Sequence, residues 1–136
     1  MPDVRVDVAL DGEDAETVLD RAHGALERLW VQVPDVGDMD RIAVETALVE
    51  VAGNVVRHGP DGRWHGPGLH VTVGADAVVV VIDQDGLPLS LDPAPAMPGP
   101  EAESGRGLPL VHALVDVVCT ARPGGTRWTL TRRRSA

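Results

Sequence analysis

Glu50, Asn54 and His58 fall at i, i+4 and i+8 of ETALVEVAGNVVRHG (45–59). The apolar pattern of that run predicts a helix, so the three polar side chains share one face. A carboxylate and a carboxamide one turn apart suit a magnesium triphosphate. The amide oxygen can ligate a hard cation, the carboxylate can take a proton, and Mg²⁺ fills its other positions with phosphate and water. A helix presenting a polar stripe to solvent has the same spacing. Two later segments bear on the choice. In VVVVIDQDGLP (78–88), five apolar β-branched residues read as a buried strand, with Asp83, Asp85 and Gly86 where it turns. A carboxylate there can accept from an exocyclic amine such as that of adenine; Asp-Gly is also an ordinary turn dipeptide. In SGRGLPLVHALVD (104–116), Gly105-Arg106-Gly107 runs straight into an amphipathic helix that Leu108 begins. Glycines before a helix start bring backbone N–H groups close to a phosphate, although they also make a hinge.

Positioning these residues requires a particular run of elements. VRVDVAL (4–10) alternates as a half-buried strand, and Asp11-Gly12 turns the chain. From about 13 to 32, Ala15, Val18, Leu19, Ala22, Leu26, Leu29 and Trp30 recur at helical spacing. Pro34, Gly37 and Asp38 break that helix, and Asp38 or Asp40 is placed to cap the next, which ends at His58-Gly59-Pro60. Strands over about 69–74 and 77–83 form a hairpin at Gly74-Ala75-Asp76, and strands near 117–122 and 126–132 flank Pro123-Gly124-Gly125. The Pro- and Gly-rich stretch between 87 and 106 has no sustained period and reads as a lid or a disordered loop.

Taken in order, Glu-x3-Asn-x3-His-Gly, strand-Asp-x-Asp-Gly, Gly-x-Gly-Leu-helix and GGTRWTL (124–130) resemble the ATP-binding domain of histidine-kinase-type ATPases (the Bergerat fold). Within that family the chain is most similar to the small stand-alone anti-sigma-factor serine kinases, over roughly residues 10–132. The resemblance implies one domain over 1–136, a two-layer α/β sandwich whose mixed, mostly antiparallel sheet carries its helices on one face. It implies an ATP lid at about 87–106. Asn54 would ligate the Mg²⁺ that bridges the ATP phosphates, and Glu50 would be the general base on the attacking hydroxyl. Gly105, Arg106, Gly107 and Leu108 match the second glycine box, and Thr126 a threonine near the adenine. His58 is a phosphate contact or a helix-end histidine.

One box departs from the family pattern of Asp-x-Gly-x-Gly or Asp-x-Gly-x-Pro. Read forward from Asp83, Asp85 and Leu87 occupy the glycine positions; read back from Gly86-Leu87-Pro88, Gln84 occupies the aspartate position. The preceding strand favours Asp83 as the adenine contact, with a one-residue bulge at the strand end. The implied activity is a serine kinase that sequesters a sigma factor and phosphorylates a serine on an anti-sigma antagonist, with homodimerisation expected. The altered box motivates an alternative, a partner-binding module of the same fold with weak or no nucleotide use. The catalytic half of a sensor histidine kinase fits poorly, because 136 residues leave no room for a phosphoacceptor hairpin.

Composition narrows the partners. The net charge is −9, with 18 acids against 6 Arg in residues 1–100 and 3 acids against 6 Arg in 101–136. That balance argues against nucleic-acid contact and is compatible with a basic protein partner. Arg132, Arg133 and Arg134 read as a solvated tail. With no Phe or Tyr and three Trp, the core must be built from Val, Leu, Ile and Ala. Cys119 is the one cysteine, in the apolar run VDVVCTA, and reads as a small core residue. No apolar stretch approaches 18 residues and no signal peptide is evident, so a cytoplasmic protein without a membrane segment is expected.

Overall fold

The computed structural model describes residues 3–86 and 107–135. Strand β1 (Val4–Ala9) leads into α1 (Ala15–Gln32) and α2 (Asp38–His58), then β2 (Gly68–Val73) and β3 (Ala77–Asp85). After the stretch 87–106, which lies outside the described residues and holds the expected lid, α3 (Gly107–Leu114) precedes β4 (Asp116–Arg122) and β5 (Gly125–Arg133). The predicted order is thus observed. The five strands run β1-β2-β3-β5-β4, and every pairing of the expected mostly antiparallel sheet is antiparallel. The chain crosses through α3 to the outer strand β4, which runs in the same direction as β3, and β5 then returns between them and pairs antiparallel with both.

Alternation along the strands separates two faces. Val78, Val80 and Ile82 of β3 join Val71, Val73, Trp128 and Leu130 in one core with the helices. Val79 and Val81 point the other way and are half-exposed. The helices cover the first face, giving a two-layer α/β sandwich. In α1, the Asp14 carboxylate caps the first turn by accepting from the Thr17 N–H at 2.9 Å, and Val18, Ala22, Ala25, Leu26 and Leu29 are buried. In α2, Ala43, Val44, Ala47, Leu48, Val51, Ala52, Val55 and Val56 form two adjacent buried columns, so this helix contacts α1, α3 and the sheet together. Each fully buried Val or Leu stabilises the fold by about 1.5–3 kcal/mol, and the core is aliphatic as composition demanded.

Three expectations are corrected. Gly37 is the N-cap of α2 and makes no side-chain cap, so neither Asp38 nor Asp40 serves that role. Asp40 instead turns inward, 1% exposed, and accepts from Arg132 Nε at 2.9 Å and from the Ser135 N–H at 2.8 Å. The C-terminal arginines are therefore not a solvated tail. Arg132 and Arg133 belong to β5, Arg132 also donates to the Leu114 carbonyl, and Arg134 binds Asp35 at 2.9 Å and the Gly74 carbonyl. Cys119 is exposed rather than core, because β4 is an edge strand. Partial burial still pushes its thiol pKa up.

Candidate functional site

The polar stripe of α2 forms one wall. Glu50 and Asn54, one turn apart, are half-buried beside the buried columns of α2. The Asn54 amide oxygen accepts from Arg57 Nη2 at 3.0 Å, an i, i+3 contact that sequence reasoning missed although the spacing allows it. The Arg57 guanidinium lies over Gly53, where its nearest atom would be 3.0 Å from an added Cβ. His58 is exposed in the last turn, where Arg57 places positive charge at the negative end of the helix dipole. Glu50 lines a shallow groove with His23, Ile42, Glu45, Thr46 and Val49, across which His23 Nδ1 meets Glu45 Oε1 at 3.0 Å.

A second wall is formed by the end of β3 and the start of β5. Asp83 and Asp85 alternate with Gln84, so the strand cannot turn both types toward the helices. The inward residue is Gln84, 6% exposed; it continues the row Val78, Val80, Ile82. Asp83 faces away from the helices, contrary to expectation. Its carboxylate takes Arg127 Nε at 2.8 Å and Nη2 at 3.1 Å, with Arg122 Nε at 3.8 Å. Those arginine hydrogen bonds hold the Asp83 carboxyl below the usual carboxylate range against partial burial, with help from the Arg122 charge. Asp85 is exposed and binds Arg122 Nη1 at 2.8 Å. The anticipated bulge is absent: β3 and β5 pair continuously from Ala77↔Arg133 to Asp85↔Gly125.

Thr126 lies opposite Gln84 in that register and is 1% exposed. Gln84 Oε1 and Thr126 Oγ1 are buried, and among the described residues neither has a hydrogen-bond partner; the same holds for Nε1 of Trp128, the next inward residue of β5. An unpaired buried polar atom costs about 1–3 kcal/mol, so two side by side at one strand end mark a place where a ligand can complete the bonding. Close backbone approaches fix Gln84 there. Gly66 has no Cβ, and one would stand 2.9 Å from Gln84 Cα; a Cβ on Gly125 would collide with the Gln84 carbonyl. The Asp85 N–H donates to the His65 carbonyl at 2.7 Å, tying the strand end to the same loop.

The remaining predicted residues are spread around these walls. Gly86 follows β3 and donates its N–H to the Gly124 carbonyl at 2.9 Å. Gly107 and Leu108 open α3, which contacts α2, while Gly105 and Arg106 lie outside the described residues. The structure thus turns Gln84 and Thr126 toward the helix layer and Asp83 and Asp85 away from it. Gln84 was legible only by reading back from Gly86-Leu87-Pro88, and Trp128 carried no signal beyond strand alternation. Among the described residues no group of three or more His, Cys, Asp or Glu could hold a metal ion, so a metal here would rest on few protein oxygens and on its ligand.

The family model described as histidine kinase-like ATPase domain matches residues 9–132, which include both walls. No curated protein matches the chain.

Proposed function

The chain belongs to the histidine kinase-like ATPase domain family, which binds ATP, and from that premise we propose that it is a protein serine kinase of the anti-sigma-factor type. It holds a sigma factor, and it phosphorylates a serine on an anti-sigma antagonist in the cytoplasm, working as a homodimer. The observation that carries the nucleotide part is the buried pair Gln84 Oε1 and Thr126 Oγ1, without a hydrogen-bond partner among the described residues, at the strand end on the face that the helices cover. The base sits against that neutral pair, and the triphosphate runs toward Arg57 and His58. Gln84, rather than Asp83 or Asp85, meets the base in this reading.

The donor set suits magnesium. Asn54 offers a half-buried neutral oxygen, and a guanidinium already beside it must transfer to a phosphate, its better partner. When bound, Mg²⁺ neutralises phosphate charge. Glu50 then takes the proton of the incoming seryl hydroxyl and Arg57 orients the phosphates, while Gly105–Leu108 supply the second glycine box of the family pattern. Positioning and charge compensation are the main demands of phosphoryl transfer. The acidic body favours a partner with a basic surface, and phosphate on the antagonist adds charge that weakens its rebinding. Among the described residues no helix is long and apolar enough to cross a membrane.

Two observations favour a second reading, a partner-binding module with little nucleotide use. Arg57 occupies the Asn54 oxygen, and Gln84 replaces the aspartate of the family pattern. Titration calorimetry with ATP, with and without Mg²⁺, on the nucleotide-stripped protein and on Asn54→Ala separates the two. Mg²⁺-dependent binding lost in the variant supports the kinase site, which is then completed by acid-stable phosphoserine on the antagonist that disappears in Glu50→Gln. No ATP binding by folded protein establishes the module.

A further inference from the structure

We infer that Gln84 reads position 6 of the purine and that, being an amide, it admits 6-oxopurine triphosphates alongside ATP. The inference rests on the nucleotide-binding reading above and goes beyond it in naming the ligand class. Its basis is the chemistry of the buried strand end. Gln84 and Thr126 are 6% and 1% exposed and uncharged, and each has an oxygen without a partner among the described residues. Anionic phosphate has no use for acceptor oxygens. Ile82 and Trp128 are the next inward residues on the two strands and pair with each other, so the strand end is apolar apart from this pair and the Trp128 indole N–H. A flat, mostly apolar ring with one polar edge fits that strand end, and the Arg57 guanidinium in the last turn of α2 fits the phosphates.

A carboxylate at position 84 would only accept. It would welcome the 6-amino group of adenine and repel the 6-oxo group of hypoxanthine or guanine. An amide offers an acceptor on one side and two donors on the other, and a half-turn of its terminal torsion exchanges them. In one orientation Oε1 accepts from the 6-amino N–H; in the other Nε2 donates to the 6-oxo oxygen. Thr126 follows either choice, because its hydroxyl is both donor and acceptor and can rotate. Backbone contacts from Gly66 and Gly125 keep the main chain of Gln84 in place while its amide turns. Selectivity of a site built to hydrogen-bond one group comes from leaving its own polar atoms unpaired with the wrong ligand. An ambidextrous pair removes that penalty.

The test is titration of the nucleotide-stripped protein with ATP and with ITP, which differ only at positions 1 and 6 of the base. The expected result is affinities within about tenfold of each other, with the ratio rising to about a hundredfold in favour of ATP in Gln84→Asp. Gln84→Glu serves as the second carboxylate variant should the shorter side chain unfold the strand end, with folding checked by circular dichroism. ATP binding with ITP rejected by a hundredfold in the unmodified protein overturns the inference and leaves the ATP site standing. A ratio unchanged by either folded carboxylate variant overturns the role of Gln84. Absence of binding to both nucleotides overturns the nucleotide reading itself, so the two failures are distinguishable.

Discussion

Asp40→Ala removes the anchor that joins the start of α2 to the end of β5, and its cost follows from the geometry. The carboxylate is 1% exposed and accepts from Arg132 Nε at 2.9 Å, the Ser135 N–H at 2.8 Å and Ser135 Oγ at 3.2 Å. Removing one partner of a buried ion pair costs about 3–5 kcal/mol when the other charge is stranded. Arg132 is not fully stranded: its side chain is 24% exposed and keeps the Leu114 carbonyl at 2.8 Å. The expected loss is therefore about 3 kcal/mol, the low end of that range. Against a typical domain stability of about 5–15 kcal/mol, this is readily measured by urea unfolding as a lower midpoint at unchanged slope. The pH dependence carries a sign. Burial pushes the Asp40 carboxyl up, but hydrogen bonds from Ser135 and Arg132 outweigh it and hold the pKa below 3.8. A depressed folded-state pKa means that the contribution is full above the unfolded value and is lost as pH falls through the folded one. The gap between the unmodified protein and Asp40→Ala should thus narrow below about pH 4. A cost under about 1 kcal/mol at pH 7, or a gap that does not change on acidification, would refute the reasoning.

Two further outcomes test the assignment of the walls. Thr126→Val keeps the shape of a buried side chain while deleting an unpartnered hydroxyl. Without nucleotide it should leave unfolding stability unchanged or raise it by about 1 kcal/mol, and it should weaken ATP; a clear loss of stability would show that the hydroxyl is already satisfied. Asp83→Asn and Asp85→Asn should both leave ATP affinity unchanged, because these side chains bind Arg127 and Arg122 on the face away from the helices. A loss of about tenfold in either, equivalent to about 1.4 kcal/mol, would mean that the base is read from the other face.

The amino-acid sequence by itself determined the order and type of the elements, which depend on near neighbours. Local periodicity placed α1, α2 and the five strands within a few residues, and the i, i+4 spacing put Glu50 and Asn54 on one stripe. These are properties of a single helix or strand, whichever partners it meets. Tertiary structure alone decided the phase of β3. VVVVI is apolar at five successive positions, so alternation, the signal that separates inward from outward, is silent there. A shift of one residue exchanges Asp83 for Gln84, and the choice is made by pairing with β5, which sets Gln84 opposite Thr126, and by the loop at Gly66. The C-terminal arginines follow the same logic. Their partners Asp40 and Asp35 lie 92 and 99 residues away, so a run that reads locally as a charged tail becomes a clasp only when the sheet closes beside α2.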